Sequence, residues 1–121
     1  MKALRILVVE DDAVIGMLLA EMLSGMGYEV CAVEATEADA VRAAGQYKPD
    51  LMIVDAWLED GSGVAAVAKI LLFGFIPNVF VTGDTSRVHA LRPSAVVVQK
   101  PYREVDLAHG IRRALATAPA H

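Results

Sequence analysis

The sequence has a single cysteine, Cys31, so no internal disulfide can form. Cys31 sits in the apolar stretch EVCAVE and is expected to act as a small buried hydrophobe. No apolar run approaches the ~20 residues that a membrane helix needs. The N-terminus, MKALRILVVEDD, turns acidic too soon for a signal peptide. With neither an export signal nor a disulfide, the expected compartment is the cytoplasm. Clustered basic residues are also missing. Lys and Arg are scattered, apart from the pair Arg112–Arg113, and the net charge is −4. No nucleic-acid-binding motif of the usual kinds is present, so neither nucleic acid nor an anionic membrane is an expected partner. The three histidines, His89, His109 and His121, share no metal-ligand spacing with one another or with Cys31. They read as surface residues.

What is present is a regular alternation of two periods. The 121 residues, 55% of them apolar, suit one domain over 1–121, with a core of about 3–116 and a frayed C-terminal tail. Short β-branched or apolar runs at Leu4–Val9, Glu29–Glu34, Asp50–Asp55, Val79–Thr82 and Ala95–Gln99 read as strands. Between them lie helical patterns. Val14–Met26 offers Val14, Leu18, Met22 and Met26 at steps of four, with Ile15, Leu19 and Leu23 beside them, a helix with a broad apolar face, and Gly27 closes it. The methionines there are expected as core filler. Thr36 with Asp39 resembles a capping box for a helix running to about Tyr47, before Pro49. Ser62–Phe73 is a third helix, apolar nearly all round, with Lys69 its only charge. Simple burial is the expected cause of that apolar character. Glu104–Leu115 is the last, with Val105, Leu107, Ala108, Ile111 and Leu115 expected inward. Strands alternating with helices imply an α/β fold with a parallel sheet covered on both faces.

In such sheets ligands bind beyond the carboxyl ends of the strands, where strand order reverses. The residues at those ends form a distinctive set. Strand one ends in Glu10, Asp11 and Asp12, strand three in Asp55, strand four in Thr82 and Gly83, and strand five in Lys100 and Pro101. Asp12 on its own is best placed to cap the next helix. Two carboxylates ~4 Å apart repel by about 4 kcal/mol at an effective dielectric near 20. Glu10, Asp11 and Asp55 together therefore call for a cation, and all-oxygen ligands with room for water suit Mg2+. With Lys100 and Thr82 aimed at the same carboxylate, the set would form a phosphate pocket. Asp55 could then act as a nucleophile and carry a phosphoryl group as an acyl phosphate.

These segments resemble a response-regulator receiver domain of two-component signalling. ILVVEDD is similar to the family's first strand and acidic pair, and DLMIVDAWLEDGSG to its phosphoacceptor segment. VTG is similar to the strand-four hydroxyl site, and VVVQKPY to the Lys-Pro site. The resemblance implies a flavodoxin-like doubly wound sheet in the order 2-1-3-4-5. It implies Asp55 as phosphoacceptor and Glu10, Asp11, Asp55 and the main-chain carbonyl of Trp57 as Mg2+ ligands. It also implies Thr82 as switch hydroxyl, Lys100 as the phosphate-pairing lysine, and a cis Lys100–Pro101 bond. The implied partners are a histidine kinase or a histidine phosphotransfer protein. Output then runs through protein contact, by a monomer or a phosphorylation-linked dimer, and no outside substrate is turned over.

Several positions depart from the family pattern. Val97 stands where many receivers carry a switching Tyr or Phe. Glu59 stands where Pro is frequent, and Trp57 is bulkier than average, fit either for rim packing or for shielding an acyl phosphate. The stretch Asp84–Pro93 shows little apolar periodicity, so the fourth helix is expected to be short or irregular. FVTGDT resembles the Phe-Ala-Thr-Gly-x-Tyr signature of a subclass of stand-alone receivers that work with HWE-type kinases, with Thr85 in place of the Tyr. Two rival readings remain. One is a receiver-shaped module that never uses phosphate. The other is an Asp-nucleophile phosphatase, in which a haloacid-dehalogenase-like enzyme would want a second Asp at the place of Trp57.

Overall fold

A computed structural model describes residues 2–117; the expected fraying at the chain end, and His121, lie outside the described residues. The elements are β1 (Arg5–Val9), α1 (Ala13–Gly25), β2 (Glu29–Glu34), α2 (Glu37–Tyr47), β3 (Leu51–Asp55), α3 (Gly63–Ile70), a 3-10 turn at Leu71–Phe73, β4 (Asn78–Thr82), α4 (Thr85–Leu91), β5 (Val96–Gln99) and α5 (Glu104–Leu115). The strands form one parallel sheet in the order β2-β1-β3-β4-β5. Strand order reverses beside β1, so the crevice between the carboxyl ends of β1 and β3 is where a ligand site is expected.

Alternating side chains divide the core. Leu7, Val9, Met52, Val54 and Phe80 point to one face and pack under α2, α3 and α4. Ile6, Val8, Leu51, Ile53, Val79 and Val81 point to the other and pack under α1 and α5. This is why the central strands read as unbroken apolar runs: both faces are covered. Small residues Ala40, Ala43 and Ala44 bring α2 close to the sheet. Asp12 caps α1, its Oδ1 accepting from the backbone N–H groups of Val14 (2.9 Å) and Ile15 (3.0 Å). Thr36 Oγ1 accepts from Asp39 N–H at 3.1 Å and starts α2. Gly27 takes a φ of +96° just beyond α1, a conformation that L side chains resist.

Helix phase is where the expectations need correction. In α1 the buried residues are Gly16, Leu19 and Leu23. Val14, Ile15, Met17 and Leu18 are exposed, and Met22 and Met26 are half-buried. In α5 the inward set is Leu107, Gly110, Ile111 and Ala114, whereas Val105 and Leu115 face solvent. The third helix ends at Ile70, and the apolar extension is not buried: Leu72 is 81% and Phe73 88% exposed. Cys31 is half-buried rather than sealed. Its thiol donates toward the Ile6 carbonyl at 3.4 Å, and burial pushes its pKa up. His89 and His109 are exposed. The fourth helix is short, seven residues with only Val88 buried. Among the described residues no helix is long and apolar enough to cross a membrane.

Candidate functional site

The carboxyl ends of β1 and β3 lie side by side because Val9 pairs with Val54 in register. Glu10 and Asp11 leave β1 just where Asp55 ends β3. Glu10, Asp11 and Asp55 each present an oxygen within 4.8 Å of the others. Lys100 reaches in from the end of β5. Its Nζ donates to Asp55 Oδ2 at 3.1 Å and lies 3.7 Å from Glu10 Oε1. The peptide bond from Lys100 to Pro101 is cis. The structure therefore gathers three acids and one ammonium at the rim.

Backbone donors fix these side chains. Glu10 is 5% exposed, and its Oε2 accepts from Asp12 N–H at 3.0 Å. Asp55 Oδ1 accepts from Trp57 N–H at 3.1 Å. Asp11 Oδ2 accepts from Glu59 N–H at 2.7 Å. A proline at position 59 would remove that donor, so Glu59 in place of the frequent Pro has a visible consequence for Asp11. Thr82 is buried at the end of β4, next to Val81, which pairs with Asp55. Its hydroxyl oxygen accepts from Asp84 N–H at 3.1 Å, at the start of α4. Its carbonyl accepts from Lys100 N–H at 2.8 Å.

The charges respond to this crowding. Burial is the chief cause that raises the Glu10 pKa above 4.5, with the negative charge of Asp55 adding to it. The Glu59 N–H holds Asp11 below its ordinary 3.8. Burial opposes the charge on Lys100, but the Asp55 hydrogen bond and the charges of Asp55 and Glu10 outweigh it and raise its pKa. Three acids against one ammonium leave a net negative pocket of oxygen donors only. That donor set fits a hard divalent cation and has no softer ligand to offer a thiophilic metal.

Other residues brace the loop that follows Asp55, and nothing in the linear sequence pointed to Glu37 or Arg87 among them. Glu37, the first residue of α2, accepts from Ser62 N–H at 2.9 Å through Oε1 and pairs with Lys69 Nζ at 2.5 Å through Oε2. Its own N–H donates to the Asp60 carbonyl. Trp57 packs against the core beneath α2 and α3, and the guanidinium of Arg87 lies 3.9 Å from its ring centroid. Glu37 could have been marked only as a helix-start acid after Thr36. The crossover that carries it across to Ser62 is a tertiary fact.

A parallel sheet in this order with five covering helices is the flavodoxin-like class, and its acidic rim beside a lysine narrows the class further. Residues 6–112 match the family profile of the response regulator receiver domain, and the chain belongs to that family. It is similar to the Phyllosphere-induced regulator PhyR of Methylorubrum extorquens, 34% identical over 117 residues covering 93% of this chain and 44% of that protein. It is likewise similar to the transcriptional regulatory protein PdtaR of Mycobacterium tuberculosis, 34% identical over 116 residues covering 93% and 57%. The chain thus spans about half the length of the curated relatives it matches. Among solved structures, the PhyR response regulator REC domain of Erythrobacter litoralis superposes with a TM-score of 0.87 at 29% identity. That match covers 100% of this chain and 98% of that one.

Proposed function

We propose that this receiver is the phosphoacceptor of a two-component or phosphorelay system, with Asp55 as the modified residue. The observation that carries the reading is one carboxylate, Asp55, with an ammonium at 3.1 Å and two further acids whose oxygens lie within 4.8 Å. An oxygen of Asp55 attacks the phosphorus of a phosphohistidine donor. The new P–O bond forms as the P–N bond breaks, and the imidazole leaves and takes up a proton. Trp57 N–H holds Oδ1 while Lys100 rests on Oδ2, so the carboxyl is oriented before the donor arrives. The Lys100 ammonium then pairs with a phosphoryl oxygen. The Thr82 hydroxyl would reach the phosphoryl group by giving up Asp84 N–H. Glu10, Asp11, Asp55 and the main-chain carbonyl of Trp57 would hold Mg2+, which when bound supplies positive charge against the phosphoryl oxygens.

In this reading the domain turns over no outside substrate and catalyses only its own phosphorylation and hydrolysis. The donor is a histidine kinase, with an HWE-type kinase suggested by FVTGDT, or a histidine phosphotransfer protein. Output is binding of a protein partner to the surface that phosphorylation changes.

Incubation of the protein with acetyl phosphate and Mg2+ tests the reading by intact mass. The expected result is a gain of one phosphoryl group per chain. A folded, Mg2+-binding protein that gains nothing would favour a phosphate-independent interaction module. Repeated turnover of an aryl phosphate would make it a phosphatase instead.

The raised Glu10 pKa adds a second prediction. Burial raises the Glu10 pKa, so as pH falls protons compete with Mg2+ for this carboxylate sooner than for an ordinary glutamate, whereas Asp11 stays ionised further down the pH scale. Affinity for Mg2+ should therefore weaken as pH falls from neutrality, starting above the ordinary glutamate value of 4.5. Calorimetry across that range should also register proton release on binding. An affinity that stays flat down to 4.5 would contradict the assignment of Glu10 as a ligand.

A further inference from the structure

We infer that Arg87 is a positioning residue for the Asp55 site: acting through its stack on Trp57, it fixes the loop after Asp55 and carries the charge state of that carboxyl into α4. The inference rests on the phosphoacceptor reading of Asp55.

Among the described residues, two side chains tie the rim to the first turn of α4 through polar or charged contacts: Thr82, on Asp84, and Arg87, on Trp57. Thr82 Oγ1 accepts from Asp84 N–H. The Arg87 guanidinium lies over the Trp57 ring at 3.9 Å. In this chain Val97 stands on β5 where a ring could otherwise have linked the Thr82 side of the rim to the edge strand. Among the described residues, the Trp57–Arg87 pair is therefore the one aromatic link between the rim and α4.

Each end of that link is suited to move. Trp57 is bonded to Asp55 through its own backbone N–H, and the same loop gives Glu59 N–H to Asp11. A shift of the indole thus shifts donors to two of the three acids. At the other end, α4 buries only Val88, and its first turn is held mainly by the Asp84 cap, whose Oδ1 accepts from Arg87 N–H at 3.2 Å and from the Ser86 hydroxyl at 2.9 Å. The indole Nε1 is buried and has no acceptor. Buried donors without partners are rare, and a second position of the ring in which Nε1 is satisfied gives this one a physical reason. A phosphoryl group adds negative charge two residues from Trp57 and draws on the nearby guanidinium. The arrangement in hand, with the ring under Arg87 and its N–H unpaired, is then one of two. By linkage, whatever holds α4 must in turn alter how readily Asp55 is modified.

The test uses the whole chain labelled with 15N, with acetyl phosphate and Mg2+ as the probe and intact mass as the check on phosphorylation. Trp57 is the only tryptophan, so its indole N–H gives a single resonance. In the wild type, phosphorylation should move that resonance and the backbone amides of 85–91 together. Arg87→Ala should keep the mass gain and the shifts of residues 56–59 but lose most of the α4 response. Arg87→Lys should restore part of it, since an ammonium also stacks on indole, though less well. Trp57→Phe keeps the ring without the N–H and should retain the α4 response. A full α4 response in Arg87→Ala would mean that Thr82 suffices, and the inference would fall. It would also fall if Arg87→Ala unravelled α4 before phosphorylation, seen as lost amide protection, because the role would then be structural only. No mass gain in the wild type would instead overturn the phosphoacceptor reading, and the inference with it.

Discussion

Asparagine at position 55 is expected to abolish the phosphoryl gain completely while leaving the fold at least as stable as the wild type. The amide offers no carboxylate oxygen to form an acyl phosphate, so intact mass after acetyl phosphate treatment should equal the untreated mass. The stability half of the prediction follows from the charges. Glu10, Asp11 and Asp55 crowd one ammonium, and the charge on Asp55 is among the causes that raise the Glu10 pKa. Neutralising Asp55 removes that repulsion. It weakens one hydrogen bond from Lys100, but Lys100 keeps Glu10 at 3.7 Å as a counter-charge. A Tm equal to or above the wild-type value, measured without Mg2+, is the expected result. Added Mg2+ should raise the Tm of the wild type more than that of Asp55→Asn, because one ligand is gone. Residual phosphorylation of the variant would move the acceptor elsewhere. A large fall in Tm would mean that the Asp55–Lys100 pair outweighs the repulsion. Functional sites commonly hold destabilising charge of this kind.

The second large effect belongs to a residue with no side chain. Gly63 begins α3, and its N–H donates to the Ala56 carbonyl at 3.0 Å. A Cβ built there would collide with the Asp55 carbonyl oxygen and lie 2.7 Å from Val54 Cγ1 and 2.9 Å from the Asp55 carbonyl carbon. The obstacle is mostly backbone of β3, which cannot swing aside as a surface side chain would. Gly63→Ala must therefore push α3 off the end of β3 or bend the strand that carries Asp55. Overpacking of a core side chain costs about 1–3 kcal/mol. A clash with backbone at this point is expected to exceed that, reaching about 4 kcal/mol, a large part of the ~5–15 kcal/mol that holds a domain together. Urea unfolding reads the loss, and phosphorylation of whatever protein remains folded should be slowed. Unfolding of Gly63→Ala within about 1 kcal/mol of the wild type would show that the helix start can yield.

How much of this was legible in the chain differs by element. The five strands and their boundaries were readable to within a residue. Strands covered on both faces are written as continuous apolar runs, and the acids, Thr82 and Lys100 that follow them mark where each run stops. The short fourth helix was readable from the weak periodicity of Asp84–Pro93. Helix phase was not. Apolar side chains nearly encircle α1, so periodicity alone could not say that Gly16, Leu19 and Leu23 face the sheet while Val14 and Leu18 do not. Gly16 is the tell-tale: an added Cβ there would lie 3.1 Å from Val33, so the helix lies close to the sheet on its smallest residue. A pattern that counts only hydrophobes passes over it.

By itself the sequence determined the order of elements, the two-sided burial of the sheet, and which acids, hydroxyl and ammonium stand at strand ends. These are local or periodic properties, written within a few residues of one another. Tertiary structure alone decided that Glu37 braces Ser62, that Arg87 lies over Trp57, and that Gly63 leaves no room for a methyl group. Each of those contacts joins separate elements brought together by a crossover, or depends on how closely a helix settles on its strand. Side-chain reach and packing set such contacts, and neither has a period along the chain.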